Sequence, residues 1–228
     1  MYYEPGNTDH GLPFNPFKSC VVPRPIGWIS TLDANGVANL APYSQFQNIT
    51  FDPPIVMFSA NQDIHGERKD TTVHAEREGS FVWNMATYDL REAVNLTAQS
   101  LPRGQDEFAH AGLEKAPSRL VRPWRVAASP VQFECEYLQT VRLPGNPPMG
   151  TVDVVFGRVV AIHIADDAIT DGKLDIARIK PLARLGYFDY TYVDKTFTMR
   201  VPNAGNGGGM EGSPEKVAEA ALAKAARA

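Results

Sequence analysis

Apolar and polar positions alternate or cluster along most of this chain in short runs, each closed by turn residues. IGWISTL (26–32) reads as a buried strand, and Asp33-Ala34-Asn35-Gly36 supplies hairpin chemistry, with Asn-Gly suited to positive φ. Residues 37–42 then return as the second strand of a hairpin. Ile55 to Ser59 is another short buried strand, approached through Asp52-Pro53-Pro54, whose prolines favour extended backbone. From residue 70 the period changes. Asp70 is placed to cap a helix beginning TTVHAERE, which Gly79 closes. FVWNMA (81–86) is strand-like again. Thr87 is placed to cap a second helix with Leu90, Ala93, Val94 and Leu96 on one side.

Residues 101–129 are irregular and carry several prolines. Val131–Val141 and Val152–Ile164 predict two long strands, joined by LPGNPPMG (143–150), which is too rich in proline to pair in a sheet. A helical turn near LDIARI precedes a last β stretch over 187–199. Seven or more strands with two short helices, and no internal repeat, predict a closed or nearly closed barrel with helical attachments. NAGNGGGMEG (203–212) reads as a flexible linker. SPEKVAEAALAKAARA then predicts a helical tail, with Ser as cap and Pro at its first position.

Composition narrows the class. Of 228 residues 43% are hydrophobic and 21% charged, enough for one substantial core. Gly and Pro, 18 each, favour turns and short strands. Lys plus Arg is 22 against 26 Asp plus Glu, a formal charge of −4, with basic residues scattered. That pattern predicts neither nucleic-acid binding nor peripheral membrane attachment. MYYEPGNTDHG lacks a basic and then apolar leader, and no apolar run reaches the length of a span. With Cys20 and Cys135 forming no pair motif, a cytoplasmic protein with two free thiols is expected. Cys135 alternates with Phe133 and Tyr137 against Glu134 and Glu136, which places it on a buried strand face.

Candidate chemistry is sparse. GGGMEG (207–212) matches GxGxxG but has no βαβ unit around it, so it is read as linker. The five histidines show no metal spacing, and no nucleophile or Walker motif is present. Ser30 and Thr31 end a strand with two hydroxyls. Lys69-Asp70-Thr71-Thr72 opens a helix, where N–H groups, hydroxyls and a cation suit an anion, ordinary capping being the competing reading.

One resemblance organises these features. PRPIGWISTLDANGVANLAPYSQFQNITFDPPIVMFSA, followed by ERKDT, GRVVAIHI (157–164) and PLARLGYFDY (181–190), resembles the flavin reductase-like family with its FMN-binding split barrel. That family includes flavoredoxins and the reductase component of nitrilotriacetate monooxygenase. The likeness spans roughly residues 10–202 and leaves 203–228 outside. It implies a mainly β fold, a Greek-key split β-barrel with short flanking helices, as a single domain (1–202) followed by the linker and helical tail (203–228).

It also implies a homodimer holding FMN, with FAD as the alternative, at or near the subunit interface, and NAD(P)H as co-substrate. Arg24, Pro25, Ile26, Trp28, Ser30 and Thr31 would border the flavin, the two hydroxyls reaching its phosphate or ribityl chain. Asn39, Ala41, Pro42, Tyr43 and Ser44 would line the isoalloxazine, and Lys69, Asp70, Thr71 and Thr72 would complete the phosphate end. His163 would stand near the flavin, a structural histidine being the competing reading, and Phe197 near its ring, with core packing as the alternative. Gln45, His74 and Tyr187 depart from the family pattern, which often has Phe, Asn and Gly there.

The expected activity is NAD(P)H:flavin reduction, supplying reduced flavin to a partner monooxygenase. A flavoredoxin-like electron carrier and a non-enzymatic flavin binder are the alternatives. A cofactor that carries the hydride chemistry explains why the motif-rich run offers no acid, base or nucleophile.

Overall fold

The computed structural model describes residues 1–63 and 65–199. The linker, the GGGMEG run and the helical tail lie outside the described residues. The chain divides into two units, Met1–Asp194 and Lys195–Ala228, and the architecture below belongs to the first.

In chain order the elements are α1 (Phe17–Cys20), β1 (Arg24–Pro25), β2 (Gly27–Leu32), β3 (Ala38–Tyr43), β4 (Phe46–Phe51), β5 (Pro54–Asn61), α2 (Asp70–Glu78) and β6 (Ser80–Met85). They continue with α3 (Arg91–Leu96), α4 (Glu107–His110), the short strands β7 (Lys115–Ala116) and β8 (Arg125–Val126), and the long strands β9 (Val131–Leu143) and β10 (Val152–Ile164). The pair β11 (Ile169–Thr170) and β12 (Lys173–Leu174), the turn α5 (Ile176–Ile179), β13 (Leu182–Gly186) and β14 (Asp189–Tyr192) complete the unit.

Seven strands form one sheet in the order β3-β2-β6-β9-β10-β5-β4. Its two outer strands, β3 and β4, are consecutive in the chain and joined only by Ser44 and Gln45. So short a link obliges the sheet to curl until its edges approach, and the Gln45 carbonyl in the link accepts from the Ser59 amide of β5 at 2.9 Å, continuing the β4–β5 ladder. The nearly closed barrel expected from the sequence follows from this constraint.

Curling gives the sheet an inner and an outer face, and both are covered near β2, which is buried at every residue. Inward, Ile29 joins Phe46, Phe58, Phe81, Trp83, Cys135 and Val155 in the barrel core, and Ala75 of α2 packs into the same cluster. Outward, Ile26, Trp28 and Leu32 meet Leu40, Val94, Phe108 and Leu182 in a second core. Fully buried rings such as Phe58 and Phe81 each contribute on the order of 1.5–3 kcal/mol of transfer free energy.

Local chemistry explains most element ends. Asp33 accepts from the Asn35 and Val37 amides, both at 2.8 Å, and Gly36 alone takes positive φ (82°). The hairpin loop is therefore a turn closed by a left-handed glycine, not the two-residue Asn-Gly turn. Helix α2 begins one residue earlier than expected, with Lys69 rather than Asp70 at the cap position and no side chain capping it; Asp70 is its first helical residue. Gly79 closes it at φ 67°. Thr87 precedes a 3-10 turn, Tyr88–Leu90, before α3, and its side chain caps neither.

Two strands differ from expectation. Strand β4 pairs along β5 and is not visible as an alternating run, since only Phe46 is buried and a bulge between Asn48 and Thr50 shifts its register. Of the last expected β stretch, 187–199, only β14 forms, paired with β13 just before it and stopping at Tyr192. The Pro-rich connection between β9 and β10 stays out of the sheet, as expected.

Candidate functional site

Two adjoining cavities gather most of the residues singled out in the sequence. The smaller, about 250 Å3, is lined by Asn39, Ala41, Pro42 and Tyr43 from β3 and by Lys69, Asp70 and Thr71 at the start of α2. The larger, about 1290 Å3, shares Pro42, Tyr43 and Lys69 with it and adds Arg24 and Ser44. Strand β3 and the head of α2, some thirty residues apart in the chain, thus form one wall. The Asn39 side chain locks it by donating to the Thr71 hydroxyl at 2.9 Å, with both residues buried.

Charge at the small cavity is mixed. Arg68 is held by Glu76 (2.6 Å) and Asp153 (2.7 Å), and Arg103 by Glu67 (2.8 Å) and Asp70 (3.2 Å). Lys69 forms no ion pair among the described residues. It sits at a helix start that no side chain caps; its carbonyl accepts from the Thr72 and Val73 amides, which leaves the Asp70 and Thr71 amides without a helical acceptor. An unpaired cation beside uncapped amides suits an anion such as a phosphate monoester. Glu107 also faces this cavity, accepting from the Leu40 amide at 3.2 Å, and burial pushes its carboxyl up to about 7. Burial likewise pushes the Tyr43 hydroxyl up, the Thr71 hydroxyl partly opposing it, so the phenol stays protonated at neutral pH.

The structure does not bring every predicted residue here. Ser30 and Thr31 are fully buried and line neither cavity. Ser30 donates to the Trp124 carbonyl at 2.5 Å under the outer core, and Thr31 Oγ1 faces His74 Nδ1 at 3.4 Å inside the barrel. Their hydroxyls are committed to packing. Ile26 and Trp28 belong to the outer core, with Trp28 Nε1 donating to Thr97, while Pro25 is exposed. Thr72 lies fully buried beside Thr71, and its Oγ1 has no partner among the described residues.

His163 lies in a third cavity with Arg119, Arg125 and Gln132. Its Nε2 stands 2.5 Å from Glu134, whose fully buried carboxylate accepts from the amides of Arg119, Leu120 and Val121. Phe197 falls in the second unit, outside any strand and 84% exposed. Residues the sequence reading missed are Glu107, Arg103 and, in the large cavity, Arg184 and the N-terminal Phe14. Each is a single residue in an irregular or terminal stretch or, for Arg184, a five-residue strand, where no periodicity marks it.

Comparison with known proteins bears on the family and the fold. The flavin reductase like domain matches residues 19–195. The chain belongs to this family. A protein of Halalkalibacterium halodurans without an assigned activity is 32% identical over 80% of this chain and 87% of its own length. The Bacillus subtilis protein YwrF is 31% identical over 80% of this chain and 90% of its own. Among solved structures, nitrilotriacetate monooxygenase component B from Bacillus cereus superposes with a TM-score of 0.80 at 27% identity, covering 87% of this chain and 98% of that one. The flavoredoxin of Desulfovibrio vulgaris shares the fold, with a TM-score of 0.70 at 16% identity. The split-barrel assignment therefore stands.

Proposed function

We propose that this protein is an NAD(P)H-dependent flavin reductase that holds FMN across the two adjoining cavities. The observation that carries the reading is their shared wall of Pro42, Tyr43 and Lys69, which joins an anion-suited recess to a much larger chamber. Lys69 and the uncapped amides of α2 would take the phosphate. Asn39 and Thr71, fixed to each other, would border the ribityl chain, and Pro42, Tyr43 and Ser44 the ring. A bound flavin would supply the hydride-accepting chemistry, with a reduced nicotinamide as the donor. The chain's own part is to orient both rings, exclude water and keep the Tyr43 proton in place. The larger chamber exceeds the roughly 300–1,000 Å3 of an ordinary ligand site, which supports a second ligand beside the first.

The reading extends to a homodimer and to delivery of reduced flavin to a partner monooxygenase. Support for the latter is the likeness to nitrilotriacetate monooxygenase component B.

Anaerobic mixing of the FMN-loaded protein with NADH or NADPH tests the proposal. Rapid bleaching of the flavin band by either nucleotide is the expected result. Bleaching by dithionite but by neither nucleotide would replace the reductase with an electron carrier. A protein that takes up no FMN would remove the flavin assignment.

A further inference from the structure

Beyond Lys69, the larger cavity carries positive charge to which the proposed flavin site gives no role. Lys18, Arg24, Lys69 and Arg184 all face it, and among the described residues no aspartate or glutamate lines it. Arg24 of β1 and Arg184 of β13 are direct partners across an antiparallel pair. Neither forms an ion pair among the described residues. Arg24 Nη1 donates to the carbonyls of Lys18 and Val21 (2.8 Å to the latter), and its buried Nε has no partner among the described residues. Burial and the neighbouring Arg184 charge together hold the Arg24 guanidinium below its ordinary range.

Arg184 donates to the Tyr190 hydroxyl and to the Tyr187 carbonyl. It thereby holds Tyr187 at φ 45°, a conformation a bulky residue adopts only when its surroundings compel it. Tyr187 in turn meets Phe14 edge-to-face at 5.7 Å between centroids. Two guanidiniums side by side repel each other, and each of the pair retains donors that protein groups leave free. An oxyanion set between them neutralises both and matches their planar, forked donors.

We propose that Arg24 and Arg184 form an oxyanion subsite for the second small molecule that approaches the flavin, with Tyr187 and Phe14 as an aromatic platform for the ring it carries. This rests on the flavin-reductase reading but concerns a separate ligand. The recognised group is a phosphate or carboxylate attached to a planar ring. It could arrive on the adenosine diphosphate half of a nicotinamide donor or on an aromatic acid that serves as acceptor.

The test is calorimetric titration of the FMN-loaded protein, and of the FMN-free protein in parallel, with ADP-ribose and with benzoate. At least one of the two binds the wild type, with affinity falling as salt rises. Arg184→Gln weakens that binding tenfold or more while the FMN affinity stays within twofold, and Arg184→Lys recovers part of the loss. Because Arg184 also steadies β14, Arg24→Gln provides a second variant, and the FMN spectrum reports folding in each. ADP-ribose binding assigns the subsite to the donor, and benzoate binding to an acceptor. Equal affinities in wild type and both Gln variants, or no binding of either anion, would overturn the subsite. Arg184-dependent anion binding in a chain that takes up no FMN would retain the subsite and reject the flavin-reductase reading instead.

Discussion

At the scale of single residues, Glu107 gives the clearest pH signature. Its carboxyl ordinarily titrates near 4.5, but in the fold burial first, and then Asp106 and Asp70, raise it to about 7 against the opposing amides. Between these values the folded chain keeps a proton that the unfolded chain has released, so stability falls as pH rises through this window. Glu107→Gln should remove that slope. After allowance for solvent screening of a half-buried group, the gain over wild type at pH 8 is about 1–2 kcal/mol, read from denaturant midpoints at pH 5 and pH 8. Lys69→Ala combined with Thr71→Ala should weaken FMN binding at least tenfold while changing riboflavin binding by much less, because only FMN carries the phosphate. Equal losses for both ligands in fluorescence titrations would remove the phosphate assignment. The grouping of Lys69, Asp70 and Thr71 at a helix start was legible in the sequence because helix-start chemistry is local. Ser30 and Thr31 were not, because the burial of a strand hydroxyl depends on what covers that face. For Ser30 the cover is Trp124, 94 residues away.

At the scale of elements, the strands were legible wherever β-branched and aromatic residues ran uninterrupted, as in β9 and β10. They were not legible where both faces of a short strand were mixed, as in β4. The glycine of RPIGW shows how a motif residue serves packing. A Cβ on Gly27 would come within 2.8–3.0 Å of the Phe46 ring and its Cβ, and Phe46 is itself stacked on Trp83 at 5.3 Å and 2°. The ring cannot swing aside without losing that stack. Gly27→Ala should therefore destabilise by about 1–3 kcal/mol, measured by urea unfolding, though it removes no functional group. An unchanged midpoint would show that the β2–β4 contact is looser than this geometry. The Pro-rich connection after β9 brings Met149 to the wall of the large cavity. Deleting 145–148 should raise the Michaelis constant for the nicotinamide severalfold and leave FMN affinity unchanged, since no residue of that loop reaches the small cavity. Steady-state kinetics with an unaltered constant would exclude the loop from that role.

For the whole molecule, the curled sheet leaves apolar side chains without cover at one end. In the register of β10 on β5, Arg158 lies opposite Ile55, so residues 160–164 run past the start of β5. Phe51 lies opposite Pro54 at that same end. Ile162 (53% exposed), Ile164, Ile49 and Phe51 (68% exposed) therefore share one end of the barrel wall, close to the third cavity that contains His163. An apolar surface of this kind favours association, and a second copy of the chain is the partner that the proposed homodimer requires. A stable dimer would bury on the order of 1,200–2,000 Å2 in total. Sedimentation equilibrium at micromolar concentration should then give twice the 25.0 kDa chain mass. Ile162→Asp, which sets a charge in the middle of the patch and touches neither flavin cavity, should shift the protein to monomer. If the partner completes the flavin site, the same variant also loses FMN affinity, and restoring the dimer at high protein concentration restores the yellow colour. A wild-type chain that remains monomeric at tens of micromolar would reject the dimer and leave this patch as surface alone.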